Sequence, residues 1–117
     1  MHGEEFFMVE IKNSKELLDN ASSPLTRSAR EIALDAIEKA LDAANPRNLI
    51  KSKVVLTENL LEIEGKKFNL SNFKRIFVVG GGKASGSMTE ALEEILGKWI
   101  ERGMIVVPRG TSGQYKT

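Results

Sequence analysis

Cysteine is absent from the 117 residues, and histidine occurs once, as His2. Without cysteine there are no disulfides, thiolate nucleophiles or cysteine-based zinc sites, which accords with an intracellular, cytoplasmic protein. A single histidine near the chain start leaves no material for a Ser-His-Asp mechanism or a multi-histidine metal centre. Excess charge of either sign is also missing, because 17 Lys and Arg face 16 Asp and Glu for a net charge of +1. No strong positive field therefore draws in phosphodiester backbones or anionic lipid, so neither nucleic acid nor a membrane surface is an expected partner. Residues 1–10 contain acids and no basic segment leading into a long apolar run, so neither a signal peptide nor a transmembrane helix is written there. What is present is ordinary for a soluble globular chain: 41% hydrophobic and 28% charged residues in a length suited to one main core.

The first segment is an arm over residues 1–22. Phe6, Phe7, Met8, Val9 and Ile11 form an apolar patch, and a helical turn is expected over residues 15–19. Ser23-Pro24 then opens a long helix, since serine can cap free N–H groups and proline suits the first turn. Leu25, Ala29, Ile32, Ala33, Ala36, Ile37, Ala40, Leu41 and Ala44 recur at helical steps as one apolar stripe, with Arg30, Glu31, Asp35, Glu38, Lys39 and Asp42 largely outside it. Asn45-Pro46 stops the run near Ala44, because a residue before proline disfavours helix. Short strands with hairpin character follow over residues 54–68, and residues 69–72 form a polar connection.

Residues 75–79 make a short continuous apolar strand of the kind buried in a parallel sheet. Gly80, Gly81 and Gly82 break it. Met88, Ala91, Leu92, Ile95, Leu96, Trp99 and Ile100 mark the apolar face of a second helix, closed by Gly103, and residues 104–107 form the next strand. So short a strand–helix–strand unit requires a parallel, right-handed crossover, and the fold class is α/β. Two parallel strands make a poor sheet alone, so missing sequence or an oligomer is expected to supply the rest of the surface.

The glycine turn carries the chemistry. Without side chains it can take positive backbone angles and admit a ligand to the main chain, while the helix start that follows favours an anion such as phosphate or carboxylate. Lys83 adds a full positive charge, and Ser85 and Ser87 add hydroxyls that can cap the helix or donate to the anion. A P-loop would need four residues between its first glycine and the Gly-Lys pair, and Gly80 stands too close to Gly82 for that. A dinucleotide fingerprint matches Gly80 and Gly82 but meets Ser85 in place of the third glycine, and Arg109 stands where an acid should follow the second strand. This disfavours NAD and leaves NADP weakly supported. Arg109 lies at the ligand-binding end of that strand, and a solvated loop arginine is an equal alternative. Trp99 and Met88 are assigned to the core, and Glu93-Glu94 to a solvated helix face.

Ala29-Arg30 in an alanine-rich helix closing in Asn45-Pro46, the run Val78-Val79-Gly80-Gly81-Gly82-Lys83-Ala84-Ser85, then Met88, Ala91-Leu92-Glu93 and Gly103 before Val106-Val107, together resemble the N-terminal region of the type II glycerate kinases, the family carrying the MOFRL domain. The resemblance spans residues 23–110. It implies a Rossmann-like parallel sheet with flanking helices, incomplete in this chain, with residues 23–117 forming the N-terminal part of that domain. It also implies phosphoryl transfer from ATP to D-glycerate, giving 2-phosphoglycerate, with Mg2+ or another divalent metal, in a cleft shared with a C-terminal domain. Lys83 matches the family's functional lysine, and Gly81, Gly82 and Ser85 surround it as the phosphate- or substrate-binding turn. Lysine suits a positioning and charge-stabilising role there. Members of the family are several times longer, so this chain alone is expected to be inactive. Two alternatives stand beside this reading: a hydroxypyruvate reductase-type NAD(P)H oxidoreductase using the same turn, and a non-enzymatic anion-binding or interaction module, for which a homo-oligomer is one expected assembly.

Overall fold

The computed structural model describes residues 8–111 and Gly113. His2, Phe6 and Phe7 at one end, and Ser112 and residues 114–117 at the other, lie outside the described residues. The element order is α1 (Ser14–Asp19), α2 (Pro24–Ala43), α3 (Pro46–Lys53), β1 (Val54–Thr57), β2 (Leu60–Ile63), β3 (Lys66–Asn69), β4 (Ile76–Gly81), α4 (Ser85–Leu96) and β5 (Ile100–Val106), with single 3-10 turns at Leu70–Asn72 and Gly97–Trp99. The chain divides into two compact units, Met1–Asn48 and Leu49–Thr117. That division falls inside α3.

In the first unit, α2 starts as its sequence directs: Ser23 Oγ accepts the Thr26 N–H at 3.1 Å and Pro24 occupies the first helical position. α1 and the segment before it join α2 by polar contacts. Asp42 accepts the Val9 N–H, Glu38 accepts the Ile11 N–H at 2.8 Å, and Arg30 donates to the Leu17 carbonyl. These three side chains belong to the polar set, while Leu25, Ile32, Ile37 and Leu41 of the apolar stripe are exposed and no residue of α2 is buried. The periodicity therefore forecast the helix correctly but not which side of it α1 would occupy. α3 was not foreseen at all. Asn45 Oδ1 accepts the Arg47 N–H at 3.0 Å, so the dipeptide read as a stop also caps and opens a new helix at Pro46.

The second unit holds the core. β1, β2 and β3 form an antiparallel meander, one strand more than a hairpin, with Val54 opposite Ile63 and Leu61 opposite Phe68. Glu64 and Gly65 both take positive φ, as a two-residue hairpin turn requires. Val54, Leu61, Leu70, Leu96 and Ile100 form the buried cluster, with Leu56, Val78, Leu92 and Trp99 among the residues packed against it. Leu70, in the segment expected to be a polar connection, is 2% exposed.

β4 and β5 pair in parallel, Val79 beside Met104 and Gly81 beside Val106, across the expected crossover through α4. The α/β class therefore holds. The helix boundary does not: α4 ends at Leu96 with Gly97 at φ +48°, and β5 already begins at Ile100. Ile100 is thus a strand residue, Trp99 belongs to the 3-10 turn between the two elements, and Gly103 lies inside β5 rather than closing the helix. Gly97 takes a positive φ that residues with a side chain disfavour, which stops the helix one turn earlier than its apolar periodicity suggests. One face of the β4–β5 pair meets α4. On the other, Phe77, Val79, Met104 and Val106 are 55%, 80%, 73% and 69% exposed, where a parallel sheet is ordinarily covered.

Lys53, at the end of α3, donates to Glu64 in the β2–β3 turn, and this hydrogen bond with its charge holds the Glu64 carboxyl below the usual carboxylate range. A depressed folded-state pKa stabilises the fold above the unfolded value of about 4.5, and that contribution is lost as pH falls through the folded value. Urea titrations from pH 6 to pH 3 should show a small acid-side loss that Lys53→Ala diminishes; an unchanged profile would remove the pair from the account. Both groups are exposed, so salt should shrink the effect.

Candidate functional site: the glycine turn between β4 and α4

The parallel register decides where the turn lies. β4 ends at Gly81 directly beside Val106 near the end of β5, so the turn at residues 80–85 and the loop at residues 108–111 share the carboxyl end of the strand pair. Ligands of open parallel sheets bind at that end.

Gly82 is the pivot. Its φ of +107° lies in the region that side chains disfavour, and its N–H donates to the Val106 carbonyl at 2.9 Å. Its carbonyl accepts from the Ser85 N–H at 3.3 Å and from Ser85 Oγ at 2.7 Å. Ser85 is buried, and a second, longer approach of its hydroxyl reaches the Val106 carbonyl at 3.4 Å. The single hydroxyl proton is therefore engaged by the main chain, and Ser85 locks the turn against β5 in this conformation. Ser85→Ala should cost about 1 kcal/mol of stability, read from urea denaturation. A variant as stable as the parent would show that the lock contributes nothing.

Gly81 and Gly82 are exposed, as are Lys83, Ala84 and Ser87. Ala84 is the N-cap of α4 and offers no side-chain cap, in contrast to Ser23 on α2. The N–H groups of Gly86 and Ser87 in the first helical turn have no intrahelical acceptor, so this end of α4 keeps its donors and positive dipole turned outward. Among the described residues no carboxylate pairs with Lys83. The turn thus brings together open main-chain donors, backbone free of Cβ atoms and one mobile ammonium, which suits an anionic oxygen cluster.

Arg109 is exposed in the turn closed by the Thr111 N–H and hydroxyl on the Pro108 carbonyl, at the same end of the sheet. Glu93 is buried rather than solvated, and only Glu94 is exposed, paired with Lys51 at 2.8 Å. Met88 is 38% exposed and stands outside the core cluster to which the sequence assigned it. Among the described residues no group of three or more His, Asp or Glu side chains stands together to hold a metal. No helix of the described residues is long and apolar enough to cross a membrane.

The family model described as "Domain of unknown function (DUF4147)" matches residues 32–117. The chain belongs to the DUF4147 family. Several proteins of known name resemble it. A glycerate 2-kinase of Pyrococcus horikoshii is 30% identical over 74% of this chain, and a D-glycerate 2-kinase of Thermotoga maritima is 29% identical over 73%. A glycerate kinase of Bos taurus is 30% identical over 74% of the chain. A crystal structure of a protein from Pyrococcus horikoshii OT3 superimposes with a TM-score of 0.66 at 30% identity over 75% of the chain. The DUF4147 chain spans about a fifth of these relatives' length: 19%, 17% and 18% of the three kinases and 19% of the crystallised protein.

Proposed function

We propose that this DUF4147 chain is the phosphate-handling portion of a glycerate 2-kinase, which transfers phosphate from ATP to D-glycerate to give 2-phosphoglycerate. The observation that carries the reading is the exposed Gly81-Gly82-Lys83 turn at the carboxyl end of β4, in a chain whose relatives bear glycerate kinase names. In this reading the sheet belongs to a larger Rossmann-like domain. Phosphoryl transfer needs its developing negative charge met by fixed donors and cations. The main-chain donors around Gly82 and the start of α4 orient the anion, and the Lys83 ammonium offsets charge on the transferred phosphate or the substrate carboxylate. Ser85 serves by holding the turn in place. ATP and a divalent metal ion such as Mg2+ are the implied cofactors.

The test is ATP-dependent formation of 2-phosphoglycerate from D-glycerate, run with the 117-residue chain and with the longest polypeptide that carries this segment. Activity confined to the longer polypeptide is the expected result. Absence of product from both, or NAD(P)H consumption with hydroxypyruvate in place of kinase activity, would overturn the assignment.

A further inference from the structure

A second cleft lies at the opposite end of the same strands. It has a volume of about 280 Å³ and is lined by Phe73, Lys74, Arg75, Lys98, Trp99 and Glu101. These residues sit just before or at the start of β4 and β5, roughly 17 Å from the glycine turn at 3.3 Å per strand residue. Nothing in the kinase reading uses this end.

Three features give the cleft a chemical character. The first is charge: three cations surround one carboxylate, and that carboxylate, Glu101, already lies 3.6 Å from Arg75 Nε. Lys74 and Lys98 are exposed and have no carboxylate partner among the described residues. Gathered like charges repel one another, and a bound anion relieves that repulsion. The second is aromatic surface. Trp99 packs against the core cluster and also lines the cleft, and Phe73, 53% exposed, lines it too. A rigid aromatic wall next to cations suits a planar ring that carries negative charge. The third is backbone. Ile76 pairs with Ile100 but Phe77 pairs with Arg102, so the pairing shifts by one residue at Glu101, on the cleft's rim. Such bulges re-aim side chains and recur beside binding sites.

We propose that this cleft binds a planar organic anion of about nucleoside-monophosphate size, its ring against Trp99 and Phe73 and its charge held by Lys74 and Lys98. The site is separate from the glycine turn and does not depend on kinase activity.

Trp99 is the only tryptophan, so its emission reports on the cleft. AMP titrated into the 117-residue chain at low salt should change that emission saturably, and both adenosine and inorganic phosphate alone should bind more weakly. A Lys74→Ala, Lys98→Ala double variant should lose at least about tenfold in affinity, as expected when charge-assisted contacts are removed. Both lysines are exposed, so the variant keeps its fold. Lys83→Ala should titrate like the parent. The proposal is overturned by no saturable response to AMP, by an unchanged affinity in the double variant, or by loss of the response in Lys83→Ala, which would assign the ligand to the glycine turn.

Discussion

Lys83→Ala is expected to lower ATP-dependent phosphorylation of D-glycerate at least about a hundredfold in the longest polypeptide carrying this segment, the scale at which removing one transition-state donor is felt. The side chain is exposed and no carboxylate among the described residues pairs with it, so its loss removes no folding contact and the melting temperature should stay near that of the parent. Charge that matters most as phosphate moves should depress kcat more than it raises KM, and steady-state kinetics separate the two. Lys83→Arg keeps the charge on a differently shaped head group and should recover part of the rate. Full activity in Lys83→Ala would detach the turn from catalysis, while equal loss of activity and of melting temperature would make the residue structural.

Leu70→Ala should produce the largest loss of stability, about 2–5 kcal/mol by the usual cost of emptying a buried leucine site. Leu70 is 2% exposed in a core cluster of only five buried residues, so few neighbours can collapse into the space. Its N–H donates to the Asn59 carbonyl at 2.7 Å, and Asn69 Oδ1 holds the next residue's N–H at 3.0 Å, so the backbone at this turn is pinned from both sides. A domain of typical stability, about 5–15 kcal/mol, would lose a large share of it. Urea midpoints compared with those of Leu60→Ala, at a site 38% exposed, provide the check. Equal shifts in the two variants would mean that burial at Leu70 does not organise this unit.

Much of this was legible in order along the chain. Ser23-Pro24, the apolar run before Gly80 and the turn residues themselves each act through their immediate neighbours, so helix starts, strands and the open backbone of the turn follow from local chemistry. Asn45-Pro46 was harder, since one dipeptide both stops a helix and caps the next. The early end of α4 was hidden for a related reason: apolar residues continue at helical steps through Ile100, while Gly97 takes a conformation that overrides them. Leu70 stood among polar neighbours, and nothing local separates a buried leucine from an exposed one.

By itself the sequence determined the α/β class, the glycine turn with Lys83 at a strand's end, and the resemblance to the glycerate kinases. These depend on spacing and on the intrinsic conformational freedom of glycine, serine and proline. Tertiary structure alone decided that Ser85 directs its hydroxyl to the Gly82 carbonyl, that the loop after β5 lies beside the turn, and that Trp99 meets Lys74 and Lys98 around a second cleft. The last two depend on the parallel register of β4 with β5, which brings together residues about twenty-five apart; strand pairing across a helical crossover is a long-range choice that no local pattern encodes.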